Sequence, residues 1–319
     1  MILNFLFIII GFALLVKGAD FLVDGSSSIA KKFHIPEIII GLTIVSIGTS
    51  MPELMVSLTS ALNGHSDMAI GNIVGSNISN LFFILGACAA VRPLRFKEQT
   101  VRLEIPFVIF LTALLYIFGN NGTNNIITKQ EGFILVVFCI LFILYNIFMA
   151  KREGIEEIEE SGASKKNSSF KAIFNIVIGI IALKFGGDFV VDNASAIAAK
   201  LGVSEKVISL TIVAFSTSLP ELITSINATF KGEIDMAIGN VIGSNILNIV
   251  LIVGATALIN PIAYSTSYNK DIVIFMIGMI ALGIIPFLGE KNKISRWSGM
   301  AYVISYFSYM ASLVYVNII

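Results

Sequence analysis

Charge is scarce in this chain. Only 13% of its 319 residues are charged, Lys plus Arg equal Asp plus Glu at 21 each, and the formal net charge is zero. No basic face is on offer to a nucleic acid. Histidine and cysteine number 2 each. Cys88 and Cys139 lie in apolar runs without metal-ligand spacing, so they read as small core residues and define no redox compartment. Long polar stretches are also missing, with one exception at 151–169. What remains is apolar: 56% of the residues are hydrophobic and the mean hydropathy is +0.88. That exceeds any ordinary soluble domain and marks an integral membrane protein.

A spanning helix takes about 20 apolar residues. The sequence predicts about ten, near 2–30, 36–62, 68–90, 103–119, 126–149, 171–199, 205–229, 236–259, 271–288 and 296–317. The first run lacks the basic start of a signal peptide and has a counterpart near 174–199, so it counts as a helix. An even count puts both termini on one side. Lys31, Lys32, Arg92, Arg95, Lys97, Arg102, Lys151, Arg152, Lys165, Lys166, Lys291, Lys293 and Arg296 then share one face, against Lys129, Lys200, Lys206 and Lys270 on the other. The basic face is the cytoplasmic one, so the cell-membrane protein is expected to carry both termini outside.

The polar stretch, with Glu153, Glu156, Glu157, Glu159 and Glu160 followed by Gly, Ser, Lys and Asn, is expected to be a solvated cytoplasmic linker. It divides residues 1–150 from residues 170–319. The halves repeat each other at a constant offset of 168 positions from Gly18/Gly186 to Gly86/Gly254, without a gap. Asp20 meets Asp188, Asp24 meets Asp192, and Pro52 meets Pro220 in that register. Five spans per half is an odd number, so the second half is inverted. The expected fold is all-α, two inverted five-helix repeats, with a substrate site where they meet near the bilayer midplane.

One motif occurs twice: Gly48-Thr49-Ser50-Met51-Pro52-Glu53-Leu54 and Ser216-Thr217-Ser218-Leu219-Pro220-Glu221-Leu222. Polar groups at membrane depth are costly and mark function. Proline removes a backbone donor and frees carbonyl oxygens in the preceding turn. With the Thr and Ser hydroxyls and the two glutamates they form an all-oxygen donor set suited to hard cations such as Ca²⁺ and Na⁺. The next span of each half, Gly71-Asn72-Ile73-Val74-Gly75-Ser76-Asn77 and Gly239-Asn240-Val241-Ile242-Gly243-Ser244-Asn245, puts two glycines on one helix face for close packing. Ser76, Asn77, Asn80, Ser244, Asn245 and Asn248 add neutral oxygens. Each glutamate would cost about 2.5–3.5 kcal/mol unpaired at the midplane. The stretches around the motifs hold no Lys or Arg, so the neutralising charge has to come from outside. One Ca²⁺, several Na⁺ or two protons would serve, and mutually exclusive occupancy gives exchange.

Gly-Thr-Ser-x-Pro-Glu followed by Gly-Asn-x-x-Gly-Ser-Asn, twice, resembles the alpha repeats of sodium/calcium exchangers in the cation/calcium antiporter superfamily, prokaryotic type. The resemblance implies that Glu53 and Glu221 hold Ca²⁺ with the carbonyls of Thr49 and Thr217. It implies that Na⁺ uses the hydroxyls of Ser50, Ser76, Ser218 and Ser244 and backbone oxygens at Ser46 and Ala214. The first and sixth helices would slide across the core to alternate access. Two positions depart from the family. Asn248 stands where some exchangers carry Asp, which weakens an inference of K⁺ co-transport, and Ser216 stands where the first copy has Gly48.

The expected function is Na⁺/Ca²⁺ antiport, with the lipid bilayer and the transported ions as partners, no tightly bound cofactor and no obligate protein partner. A H⁺/Ca²⁺ or other divalent-cation exchanger is the rival within the mechanism, and the hydroxyls favour Na⁺. A Ca²⁺ channel needs no inverted half. An intramembrane enzyme lacks a nucleophile, base and orienting group. Asp20, Asp24, Asp188 and Asp192 are expected in structural or ion-entry roles. His34 is a headgroup residue, His65 a loop residue, and Asn121-Gly122-Thr123 a glycosylation pattern of little weight.

Overall fold

The computed structural model describes residues 2–64, 66–122, 125–160, 169–201, 214–288 and 292–318. His65, Thr123, the linker at 161–168 and the start of the seventh expected span, 205–213, lie outside the described residues. The chain is almost entirely helical. In order the helices are α1 (Ile2–Phe33), α2 (Glu37–Thr49), α3 (Met51–Leu62), α4 (Ala69–Val91), α5 (Thr100–Gly119), α6 (Lys129–Glu160), α7 (Ser169–Lys200), α8 (Leu219–Lys231), α9 (Ile234–Ile259), α10 (Asn269–Leu288) and α11 (Arg296–Ile318). Among the described residues, seven helices are long and apolar enough to cross a membrane, or eight when α2 and α3 count as one bent span.

Two differences from the expected layout have local causes. The second span breaks at Ser50, where α2 and α3 meet at 47°. Pro52 lies in the first turn of α3, and Pro220 does the same in α8 after Ser218. A first-turn amide has no helical acceptor, so proline starts a new helix there at no cost. The other difference concerns the acidic run: α6 continues to Glu160, making 153–160 helical. Glu, Lys and Arg are good helix formers once a turn exists to extend.

The two halves embrace. α1 and α7 pack antiparallel along their length, zipped by small residues seven apart: Gly11 against Gly186, Gly18 against Gly179, Gly25 against Ala172. A Cβ on Gly18 would stand 2.9 Å from the Gly179 carbonyl oxygen, and one on Gly179 2.8 Å from that of Gly18. Only glycine lets two backbones come this close. α9 packs against α2 in the same way, with a Cβ at Gly239 falling 2.5 Å from the Ile38 carbonyl oxygen. The packing role expected for the glycine pairs thus holds at Gly239 and Gly243. Gly71 abuts Tyr268, and among the described residues nothing lies within 4 Å of a Cβ at Gly75.

Short strands outside the helices link the halves too. β1 (Leu94–Arg95) pairs antiparallel with β4 (Lys293–Ile294), and β2 (Ile126–Ile127) with β3 (Ile262–Ala263). Each pair takes one strand from each repeat. The core runs along α4 and α9, with Ile70, Ile73, Ile78, Ile84, Ile246, Ile249 and Val253 buried, while the outer faces of α1, α6, α7 and α10 expose Phe, Leu and Ile as a lipid-facing surface does.

Candidate functional site

Both α4 and α9 widen into a π-helical stretch, at Ser79–Leu85 and Asn248–Val253. A wider turn re-aims the side chains that it carries, and such turns cluster at functional sites. Asn80 lies inside the first stretch and Asn248 opens the second. The breaks before α3 and α8 hold the other half of the site, since Thr49-Ser50 and Thr217-Ser218 occupy the corners where helical hydrogen bonding pauses.

Hydroxyl and carboxylate contacts bring Ser50, Ser76, Thr217, Ser218, Glu221 and Ser244 together, Asn80 and Asn248 lie in the π-helical stretches, and Ala214 opens a one-turn helix, Ala214–Ser216. Glu53 and Glu221 are fully buried, and so are Thr49, Ser46, Ser218, Ser244, Asn80 and Asn248, with Ser50, Ser76 and Thr217 nearly so. The hydroxyl of Ser50 donates to Glu221 Oε1 at 3.1 Å and lies 3.0 Å from Ser244 Oγ. On the other side Ser218 Oγ reaches Ser76 Oγ at 3.3 Å, and Ser76 meets Thr217 Oγ1 at 3.5 Å. Glu53 faces the Ser76 and Thr217 hydroxyls without closing an ordinary hydrogen bond to either. The Ser50–Glu221, Ser50–Ser244, Ser218–Ser76 and Thr217–Ser76 contacts each join the motif of one repeat to the following helix or glutamate of the other.

Many oxygens are left over. Both carboxylate oxygens of Glu53, Oε2 of Glu221, the side-chain oxygens of Asn80 and Asn245, and Oδ1 of Asn248 are buried without a hydrogen-bond partner among the described residues. Buried polar atoms are normally paired, and an orphaned carboxylate is among the costliest of groups to leave alone. Two carboxylates and a ring of neutral oxygens, with no cationic side chain among them, fit a hard cation. Among the described residues no group of three His, Cys, Asp or Glu is placed to hold a metal ion. Asn248 spends its amide on Asn77 Oδ1 at 3.0 Å, which frees its own oxygen. The Ser46 carbonyl already accepts the Ser50 amide at 3.0 Å and the Thr49 hydroxyl at 3.4 Å.

Sequence reasoning gave Asn72, Asn240, Ser57 and Ser225 no role. Thr49 donates to Asn240 Oδ1 at 3.1 Å, and Asn240 Nδ2 donates to Ser225 Oγ at 2.9 Å. The other repeat mirrors this: Thr217 to Asn72 Oδ1 at 3.2 Å, Asn72 Nδ2 to Ser57 Oγ at 3.1 Å. Each asparagine clasps the threonine of the opposite repeat, using its hydroxyl and leaving its carbonyl. The signal was present in the register, because Ser57 and Ser225 both fall one helical turn after a motif glutamate.

An oxygen-lined, two-repeat site buried within a helical membrane protein defines a cation transporter. The family model for sodium/calcium exchanger protein matches residues 3–150 and 171–315. The chain belongs to the sodium/calcium exchanger family, a family of transporters rather than enzymes, and is thus a cation/Ca²⁺ antiporter. It is 35% identical to a putative antiporter, CaxA, of Alkalimonas amylolytica over 97% of this chain and 98% of that protein. It is 31% identical to the sodium/calcium exchanger MaX1 of Methanosarcina acetivorans, with 98% and 99% covered. The solved structure of the sodium-calcium exchanger NCX_Mj, soaked with Na⁺ and Ca²⁺, superposes with a TM-score of 0.84 at 29% identity, covering 98% of this chain and 99% of that one.

Proposed function

We propose that the protein exchanges Ca²⁺ for Na⁺ by alternating access at the site built around Glu53 and Glu221. The observation that carries this reading is the pair of buried carboxylates with unpaired oxygens, ringed by hydroxyls from both repeats. Ca²⁺ neutralises both charges and takes the Thr49 and Thr217 carbonyls; Na⁺ ions occupy the Ser50, Ser76, Ser218 and Ser244 hydroxyls with backbone oxygens near Ser46 and Ala214. Asn80 and Asn248 complete the cage as neutral donors. Since only one set of cations fits at a time, bringing one in drives the other out.

The strand pairs are compatible with the ten-span topology. β1 and β4 lie on one side of the membrane, β2 and β3 on one side, so an even number of crossings separates the members of each pair. Ten crossings, five per inverted repeat, satisfy both conditions. The Lys and Arg distribution then puts α1's C-terminal end in the cytoplasm and both termini outside.

Purified protein in liposomes, given an outward Na⁺ gradient, a pH gradient or neither, tests the reading. Ca²⁺ uptake driven by Na⁺ supports it. Uptake that ignores Na⁺ and follows pH would assign H⁺ as the counter-ion, and uptake without any counter-ion would make the protein a channel.

A further inference from the structure

One face of α1 is tied to the core by charge, and among the described residues no ion pair ties the matching face of α7 to it. Asp20, Asp24, Ser27 and Lys31 follow each other at helical spacing. All four meet the last turns of α8 or Glu233, two residues beyond its end. Lys231 Nζ lies 3.1 Å from Asp20 Oδ1 and 2.7 Å from Asp24 Oδ1. Asn227 donates to Asp20 Oδ1 at 3.0 Å. Ser27 Oγ donates to Glu233 Oε1 at 2.9 Å, and the Lys31 ammonium reaches the same oxygen at 3.2 Å. From Asp20 to Lys31 the tether covers about 16 Å of helix, roughly half the hydrocarbon thickness of a bilayer.

The repeat register shows what the other half has in its place. Asp188 and Asp192 keep the α1 acceptors and Ser195 the donor hydroxyl, but Lys31 becomes Ala199, Lys231 becomes Asn63 and Glu233 becomes His65. Acceptors survive; the countercharges do not. Among the described residues Asp188 pairs with Lys184 of its own helix, at 2.7 Å.

We propose that this one-sided tether is a conformational latch that favours the state in which α1 seals the site from the membrane face bearing Lys31 and Lys231. The proposal rests on the alternating-access reading above. In an inverted-repeat transporter, α1 against α8 and α7 against α3 guard opposite faces. Contacts that exist in only one of the two states shift the equilibrium toward it. Pairs this close to water are individually weak. Several of them on one helix face bias the population by about tenfold. The charges lie outside the oxygen cage, so they set the population without changing the cage itself.

Two variants test the latch in liposomes of sorted orientation. Lys231→Met combined with Glu233→Gln removes its positive and negative anchors on the core. The expected result is a lower apparent KM for Ca²⁺ presented at the latched face and a higher one at the opposite face, each by several-fold, because apparent affinity scales with the fraction of protein open to that side. Unchanged KM values on both faces, in a variant that still transports, would overturn the latch. Asp24→Cys with Lys231→Cys supplies the reverse manipulation; the native Cys88 and Cys139 are buried. Oxidation should stop transport and reductant restore it, and full transport by the verified disulfide form would count against the proposal. Absence of Na⁺-driven Ca²⁺ uptake in the unmodified protein would refute the antiport reading itself, a result separate from either variant.

Discussion

Ser50 and Glu221, 171 positions apart in the chain, meet at 3.1 Å in the middle of the molecule. The same hydroxyl stands 3.0 Å from Ser244. A serine from the first repeat thus completes the acid site of the second. A hydroxyl can donate to a carboxylate and still offer a lone pair to a cation.

Ser50→Ala removes that donor and lone pair together. Na⁺ depends on hydroxyl oxygens more than a divalent ion held by two carboxylates does. The variant is expected to raise the apparent KM for Na⁺ by about tenfold, an interaction of roughly 1.4 kcal/mol, and that for Ca²⁺ by less. Na⁺-dependent Ca²⁺ release from loaded liposomes measures both. An equal loss for the two ions would contradict the division of ligands.

Glu53→Gln and Glu221→Gln should each abolish Ca²⁺ transport. They should also stabilise the ion-free protein, since one of two buried like charges is gone. Melting in a Ca²⁺ chelator is expected at a higher temperature than for the unmodified protein. The stabilisation by added Ca²⁺, about 2.7 kcal/mol at a hundred times Kd, should vanish. Retained transport in either variant would refute the paired-carboxylate site.

The clasp predicts coupling across the repeats. Asn72→Ala and Thr217→Val remove the two ends of one hydrogen bond. Each should raise the apparent KM for Ca²⁺ several-fold, and the double variant should lose less than the sum, with a coupling of about 1 kcal/mol. Asn240→Ala with Thr49→Val should behave alike. Additive effects in both pairs would show that the asparagines do not act through the threonines.

Gly18→Val places a branched side chain against the α7 backbone, where even a Cβ would stand 2.9 Å from the Gly179 carbonyl oxygen. A cost of about 1–3 kcal/mol is expected, read as a lower melting temperature. Gly187→Ala, on the same helix pair but with nothing within 4 Å of a Cβ among the described residues, should be neutral. Equal effects of the two would contradict the close approach of α1 and α7.

Acid should loosen the latch at its Glu233 anchor. Burial opposes the charge of Glu233, but hydrogen bonds from Glu37, Ser27 and Lys31 outweigh it and hold the carboxyl below its ordinary range. A depressed carboxylate adds stability above its unfolded-state value, about 4.3. That contribution is lost as pH falls through the folded-state value. Melting curves of the unmodified protein and Glu233→Gln should therefore converge in acid. A difference that stays constant down to pH 3, well below about 4.3, would argue against a charged anchor.

Much of this molecule was legible before folding was considered. The hydropathy of Ile2–Phe33 or Lys129–Arg152 is a property of consecutive residues, and the spans expected there match the helices closely. The doubled Pro-Glu motif singled out two carboxylates that the fold buries completely, because an acid beside a proline stands out in any apolar run. Less was legible where polar chemistry was ordinary. Asn72, Ser57 and their counterparts are small residues that fit packing as well as clasping, and only the contact with Thr217 or Thr49 separates the two roles.

Composition, register and motif spacing by themselves determined a helical membrane protein of two repeats, each with one Pro-Glu motif. Tertiary structure decided which hydroxyl meets which carboxylate, that α1 and α7 zip along their glycines, and that Asp20, Asp24, Ser27 and Lys31 of α1 reach Lys231 and Glu233. The physical reason is range. Helical period says which residues share a face, whereas a partner some 200 positions away, such as Lys231 for Asp24, is chosen only when the helices pack.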